Sequence, residues 1–197
     1  MASPRRLGAP EAKNRKVLLD AAEQLMMEEG YAAVSSRRVA DRAGLKPQLF
    51  FYYFRSMDEL FLSILRRRID EGSEYQSKML NSDHPLHTLW EFNADPRNVR
   101  LTMEFIGLSY HRPAVRSEVA RFAERLRTLQ TDVIDTFMRD NGFDTQRYPP
   151  AAVAVLMASL SRVVVMEQAL GVSGGHAEAL EMAARELDRL DRGRKEQ

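Results

Sequence analysis

Apolar positions recur at helical spacing along almost the whole chain. Val17, Leu18, Ala21, Ala22, Leu25 and Met26 fall at i, i+3/i+4 and i+7/i+8 and predict a helix from about residue 13 to 29. Gly30 suits the left-handed position that closes a helix, and residues 31–34 read as a linker. Ser35 stands as an N-cap before a helix of about two turns over 36–43, which Gly44 stops. Pro47 suits the first position of a further short helix. Its sequence, PQLFFYYF over 47–54, has strand propensity, because aromatic residues favour sheets. It does not alternate polar with apolar, however, and the next helix begins only two residues later, so a helix is expected. Ser56 caps that next helix, Asp58 and Glu59 sit in its first turn where the helix dipole favours carboxylates, and it runs to about residue 80.

Five more helices are predicted, over residues 84–92, 96–111, 113–141, 150–170 and 174–190, with a frayed tail at 191–197. The long one carries Val115, Val119, Phe122, Leu126, Leu129, Val133 and Phe137 in steps of three and four. No strand candidate survives and no internal repeat is found, so the fold class is all-α. Residues 1–12, with Pro4, Gly8 and Pro10, read as a disordered basic arm. Residues 13–56 read as one domain, and 57–197 as a second helical body.

The chemistry of the first part supports this division. Two short helices joined by the tight Gly44-Leu45-Lys46 turn form the arrangement that sends its second helix into the DNA major groove. Such a unit needs a glycine in the turn and small or apolar packing residues, here Val39, Ala40, Ala43, Leu45, Phe50 and Phe54. Its outer face needs cations and hydrogen-bonding groups, which Arg37, Arg38, Arg42, Lys46, Gln48, Tyr52 and Tyr53 supply. Residues 1–70 carry 13 Lys and Arg against 9 Asp and Glu, whereas the remainder carries 16 against 19. The basic excess of the front half points a polyanion toward the N-terminal domain.

Three stretches also carry a resemblance. They are Leu18-Leu19-Asp20-Ala21-Ala22 through Leu25-Met26 to Gly30-Tyr31 and Ser35, then Val39-Ala40 with Ala43-Gly44-Leu45, then Phe50-Phe51-Tyr52-Tyr53-Phe54 with Ser56 and Asp58-Glu59-Leu60. In one register, they resemble the DNA-binding domain of TetR-family transcriptional regulators. The resemblance covers roughly a quarter of the chain. It implies a dimeric, ligand-responsive repressor or, less often, an activator. Arg37 then falls where the family often reaches a base or phosphate. Lys46, Pro47, Gln48 and Leu49 begin the recognition helix, and Phe51 and Tyr53 sit where tyrosine and histidine usually grip phosphates. Four departures stand out. Lys46 replaces the serine that commonly opens the recognition helix, and Arg38 replaces the acid of a capping box. Phe51 lacks the usual hydroxyl, and Met57 replaces a lysine.

Behind residue 57 the expectations concern ligand and partner. Trp90, Met103, Tyr110, Phe122 and Met157 are candidate walls of an apolar cavity for an unidentified small-molecule effector, alongside their simpler role as core. His111 and Arg112 are candidate polar anchors, with solvated surface the simpler reading of Arg112. The helix at 150–170 has two apolar stripes: Val153, Leu156, Leu160, Val163 and Val164, and Ala151, Val155, Ala158, Arg162, Val165 and Ala169. Val155, Arg162 and Val165, with Leu187 of the last helix, are the expected homodimer contacts.

Enzymatic readings find little support. Gly171-Val172-Ser173-Gly174-Gly175 matches the nucleophile elbow of hydrolases in letters only, because a helix rather than a strand precedes it. His84-x-x-His87 lacks further metal ligands, and neither a P-loop nor a dinucleotide fingerprint is present. The absence of cysteine excludes disulfides and thiolate chemistry. No cofactor is expected. No window approaches an uninterrupted membrane-spanning run and no secretory signal stands at the N-terminus, which gives a cytoplasmic expectation. The expected function is sequence-specific binding of a palindromic double-stranded operator by a repressor that a mostly apolar ligand releases. The alternative is an architectural nucleic-acid-binding protein without ligand control.

Overall fold

The computed structural model describes residues 9–192, and among them it contains helices and no strand. In chain order these are α1 (Ala9–Glu29), a 3-10 turn (Tyr31–Ala33), α2 (Ser36–Arg42), α3 (Pro47–Tyr53) and α4 (Met57–Leu80). There follow α5 (Pro85–Ala94), α6 (Pro96–His111), α7 (Pro113–Asp140), α8 (Pro150–Ala169) and α9 (His176–Arg192). Helix α1 starts four residues before the predicted boundary and takes in the end of the expected arm. Pro10 lies in its first turn, where a backbone N–H has no intrahelical acceptor, so the missing donor costs nothing. The rest of the arm, residues 1–8, lies outside the described residues, as do 193–197.

The chain forms two compact units. The first runs to Arg68 and adds Met103–Ala120; the second is Ile69–Thr102 together with the chain from Arg121. The unit that holds the helix-turn-helix is therefore larger than residues 13–56, for reasons of packing. Leu60, Phe61, Ile64 and Leu65 of α4 are fully buried core residues, like Leu18, Leu25 and Met26 of α1. The two helices are also joined by polar links. Arg67 pairs with Asp20 and, at 2.5 Å, with the buried Glu23, while Arg15 donates to Ser63 Oγ and lies 5.1 Å over the Phe54 ring. The end of α6 joins the same unit: Glu104 accepts from Tyr31 N–H at 2.6 Å. Arg112, expected at the solvated surface, instead pairs with Asp58 and stacks 5.6 Å over Phe61.

The second unit has its own core, in which Met79, Leu86, Leu89, Val133, Ile134, Phe137, Met138, Ala154 and Leu187 are buried together. Trp90 and Met157 pack against its edge. Helix α8 turns Ala154, Ala158, Ser161 and Val164 inward and rests on α5. Its outward stripe is Val155, Leu156, Val163 and Met166, so neither expected stripe is reproduced and Ala158 moves from the outside to the core. The true buried repeat advances by 4, 3 and 3 residues and is built of small side chains, which a search for large apolar residues passes over. By length and composition α8 is the one described helix apolar enough to cross a membrane, although Ser159, Ser161 and Arg162 interrupt its apolar run.

Candidate nucleic-acid interface

The helix-turn-helix is assembled by local rules. Ser35 is extended and its Oγ accepts from Arg38 N–H at 3.4 Å, capping α2. Gly44 takes a φ of 66°, and this left-handed step lets Leu45 N–H reach Ala40 O at 2.9 Å and close the turn. Lys46 is extended, and Pro47 opens α3 without a side-chain cap, as loss of the usual serine implies. Val39, Ala40, Phe50 and Phe54 are fully buried, with the two phenylalanine rings 5.6 Å apart. At the far end, Ser56 Oγ accepts from Glu59 N–H at 3.2 Å while Glu59 accepts from Arg55 N–H at 2.7 Å, fixing the start of α4.

This packing leaves one face of α3 to solvent. Lys46, Pro47 and Gln48 are exposed, followed by Phe51 at 62% and Tyr52 at 54%. Leu49 and Tyr53 are half-buried, the Tyr53 ring lying edge-on to Tyr52 at 5.0 Å. Arg37 projects from α2 with 85% of its side chain exposed and only a 3.9 Å approach to Asp41. Arg38 behaves differently. Both oxygens of Glu29 accept from its Nη2 at 2.6 Å, and Ala33 O lies 3.4 Å from its Nη1. That hydrogen bond holds the Glu29 carboxyl below its ordinary value and the Arg38 guanidinium above its own. Arg42 is likewise turned to Glu28 at 2.7 Å. Glu28 and Glu29 read in sequence only as a helix end. Their position opposite two arginines on the next helix was the signal to notice.

The other candidate residues are dispersed. Trp90, Phe122 and Met157 belong to the second unit, Met103 and Tyr110 to the first, and Tyr110 is 78% exposed. His111 stacks on Tyr31 with ring centroids 6.4 Å apart, and His87 Nε2 lies 3.2 Å from Asp188. Leu187, expected at a subunit contact, is buried within its own unit. Val155 is exposed, Val165 half-buried, and Arg162 half-buried with its guanidinium pushed below the ordinary value by burial and then by the charge of Arg127. The Gly171–Gly175 stretch connects α8 to α9, where His176 Nε2 lies 2.7 Å from Glu167 Oε2 and staples the two helices.

A capped two-helix unit presenting a cationic and aromatic face on its second helix defines a DNA-binding protein of the helix-turn-helix class. Comparison with known proteins agrees. Residues 18–64 match the family model of bacterial regulatory proteins, tetR family. The chain is 27% identical over 161 residues to the transcriptional activator FasR of Mycolicibacterium smegmatis, spanning 77% of this chain and 71% of that protein. It is 26% identical over 150 residues to the transcriptional repressor BepR of Brucella suis, spanning 68% and 67%. A TetR transcription regulator from Haloarcula marismortui superposes with a TM-score of 0.69 at 16% identity, over 91% of this chain and 97% of that one. Residues 18–64 thus carry a DNA-binding domain like that of bacterial regulatory proteins of the tetR family, and the relatives that match over more of the chain are transcriptional regulators.

Proposed function

We propose that this regulator is a dimeric cytoplasmic repressor that binds a palindromic operator and leaves it when a small molecule enters the second unit. The exposed face of α3 carries the reading: a long polar side chain, a cation and two aromatic rings stand in solvent on a helix anchored by the fully buried Phe50. Gln48 is the base reader, suited to a bidentate contact with adenine. Lys46 and Arg37 meet phosphates, with Tyr52 and Tyr53 hydroxyls as further donors, and Phe51 contributes apolar contact. Pro47 and Leu49 set the helix start and its depth in the groove. Two such heads read half-sites about one helical turn, or a multiple of it, apart. Ligand release then follows from a ligand-bound state whose head spacing no longer fits. The similarity to a named repressor and to a named activator leaves the sign of regulation as the point to test.

Sequencing the genomic DNA that the protein retains would define the operator. Gln48→Ala should then broaden the selected motif and cost about 1–3 kcal/mol at the affected base pair. A motif unchanged in the variant would remove Gln48 from base reading. Retention of duplexes with no shared motif at all would favour an architectural DNA-binding protein.

A further inference from the structure

The second unit contains donors with nothing to donate to. Arg127 and Gln130 lie three residues apart on α7 and so share a face. Gln130 is buried and its Nε2 donates to Asn93 Oδ1 on α5 at 2.8 Å. Beside that bond, Asn93 Nδ2 is buried without an acceptor, and so is Nη1 of Arg127. Arg162 of α8 lies half-buried within the field of Arg127, whose charge adds to the effect of burial on its guanidinium. Among the described residues, no carboxylate bonds to either arginine.

Two like charges and two orphan N–H groups are a poor solution for a structural core. Buried cations ordinarily come with a counter-charge, and buried donors with an acceptor. The arrangement becomes favourable when an oxyanion enters, because a carboxylate or phosphate accepts from guanidinium groups in bidentate fashion and neutralises them. We propose that Arg127, Arg162 and Asn93 form a binding site for the oxyanion group of the effector, which is therefore an acid with an apolar body. Gln130 is a positioning residue that holds the Asn93 amide. Trp90 stands three residues before Asn93 on α5, shares its face and packs on the core edge, where the apolar body of the ligand would meet it. This inference rests on the proposed role of the second unit in effector binding, and it adds an anionic head to the expected mostly apolar ligand.

The test uses the full-length protein with decanoate, decyl phosphate and decan-1-ol as probes. Binding is followed by the fluorescence of Trp90, the only tryptophan. At least one acid should bind about tenfold more tightly than the alcohol, the tighter acid identifying the headgroup. Arg127→Met and Arg162→Met should each abolish that preference by weakening acid binding to the level of the alcohol. Without ligand, both variants should unfold at the same temperature as the parent or higher, since each removes one of two like charges. The proposal is overturned if neither acid binds, if the alcohol binds equally well, or if the methionine variants keep the preference. A fall of several degrees in unliganded Tm would also overturn it, by making the arginines structural. Operator affinity separates this inference from the function it rests on. An acid that binds through the arginines without changing operator affinity keeps the site and removes the effector role. A neutral molecule that releases the operator while both acids fail to bind does the reverse.

Discussion

At the scale of single residues, the DNA-facing cations divide into those available to phosphates and those already neutralised. Arg37 is open to solvent and Lys46 is exposed at the start of α3, while Arg38 and Arg42 are held by Glu29 and Glu28. A cation paired within the protein releases few counterions on binding DNA, because breaking its pair offsets the new contact. Each phosphate contact contributes about 0.9 to the slope of log affinity against log salt. Lys46→Ala should therefore flatten the slope by about that amount per subunit, whereas Arg38→Ala should leave it nearly unchanged. Titration of a selected operator between about 50 and 200 mM salt measures both. An equal loss of slope in the two variants would mean that Arg38 leaves Glu29 to meet the DNA. This distinction was not legible in the sequence. All the arginines of α2 sit on polar positions there, and only the folded chain shows which of them face the acidic end of α1.

The elements themselves were largely legible, for a physical reason. Ser35, Gly44, Pro47, Ser56 and Pro96 are local signals that act through the backbone, and each stands at a helix end in the structure. Even the aromatic run of α3 read correctly as a helix, since its period and its proline outweighed strand propensity. Helix α8 was misread because its inward face is built of Ala154, Ala158 and Ser161, whose small size brings helices close but gives no hydrophobic contrast. Ligand walls are harder to read, because cavity residues are set by which helices meet, and α6 and α7 each contribute residues to both units. Glycines show the same split between local and tertiary demands. A Cβ on Gly72 of α4 would meet nothing within 4 Å, whereas one on Gly107 of α6 would come within 2.9 Å of the Tyr31 ring. Alanine gains about 1 kcal/mol over glycine in a helix, and overpacking costs about 1–3 kcal/mol. Gly72→Ala should thus stabilise the protein, while Gly107→Ala should be destabilising by up to about 2 kcal/mol. Urea unfolding reads both. If Gly107→Ala proved as stabilising as Gly72→Ala, the Tyr31 ring would be free to move aside and the docking of α6 on it would be loose.

For the whole molecule, the outward stripe of α8 is where the proposed dimer can be tested. Leu156 is 69% exposed, and Val155, Val163 and Met166 extend the same apolar surface along the helix, with Met182 exposed on α9. A surface of this kind, spread along two helices, marks either a partner interface or a lipid-facing segment. The inward face of α8 argues for the first: Ala154, Ala158, Ser161 and Val164 are buried against the protein's own core, and the half-buried Arg162 sits in the middle of the helix. An intramembrane arginine would be costly, whereas a helix with one face on its own core and one on a second copy needs apolar residues all round. Leu156 is mostly exposed, so Leu156→Glu should leave helicity and thermal unfolding of the monomer nearly intact while placing an unpaired carboxylate in the proposed subunit contact. Sedimentation should then show a folded monomer with sharply weakened operator binding, because two linked heads bind far more tightly than one. Leu187→Glu should instead unfold the second unit, since that side chain lies in its core. A Leu156→Glu protein that sediments as a folded dimer would place the subunit contact on another surface, and loss of vesicle binding in the variant would assign the stripe to lipid.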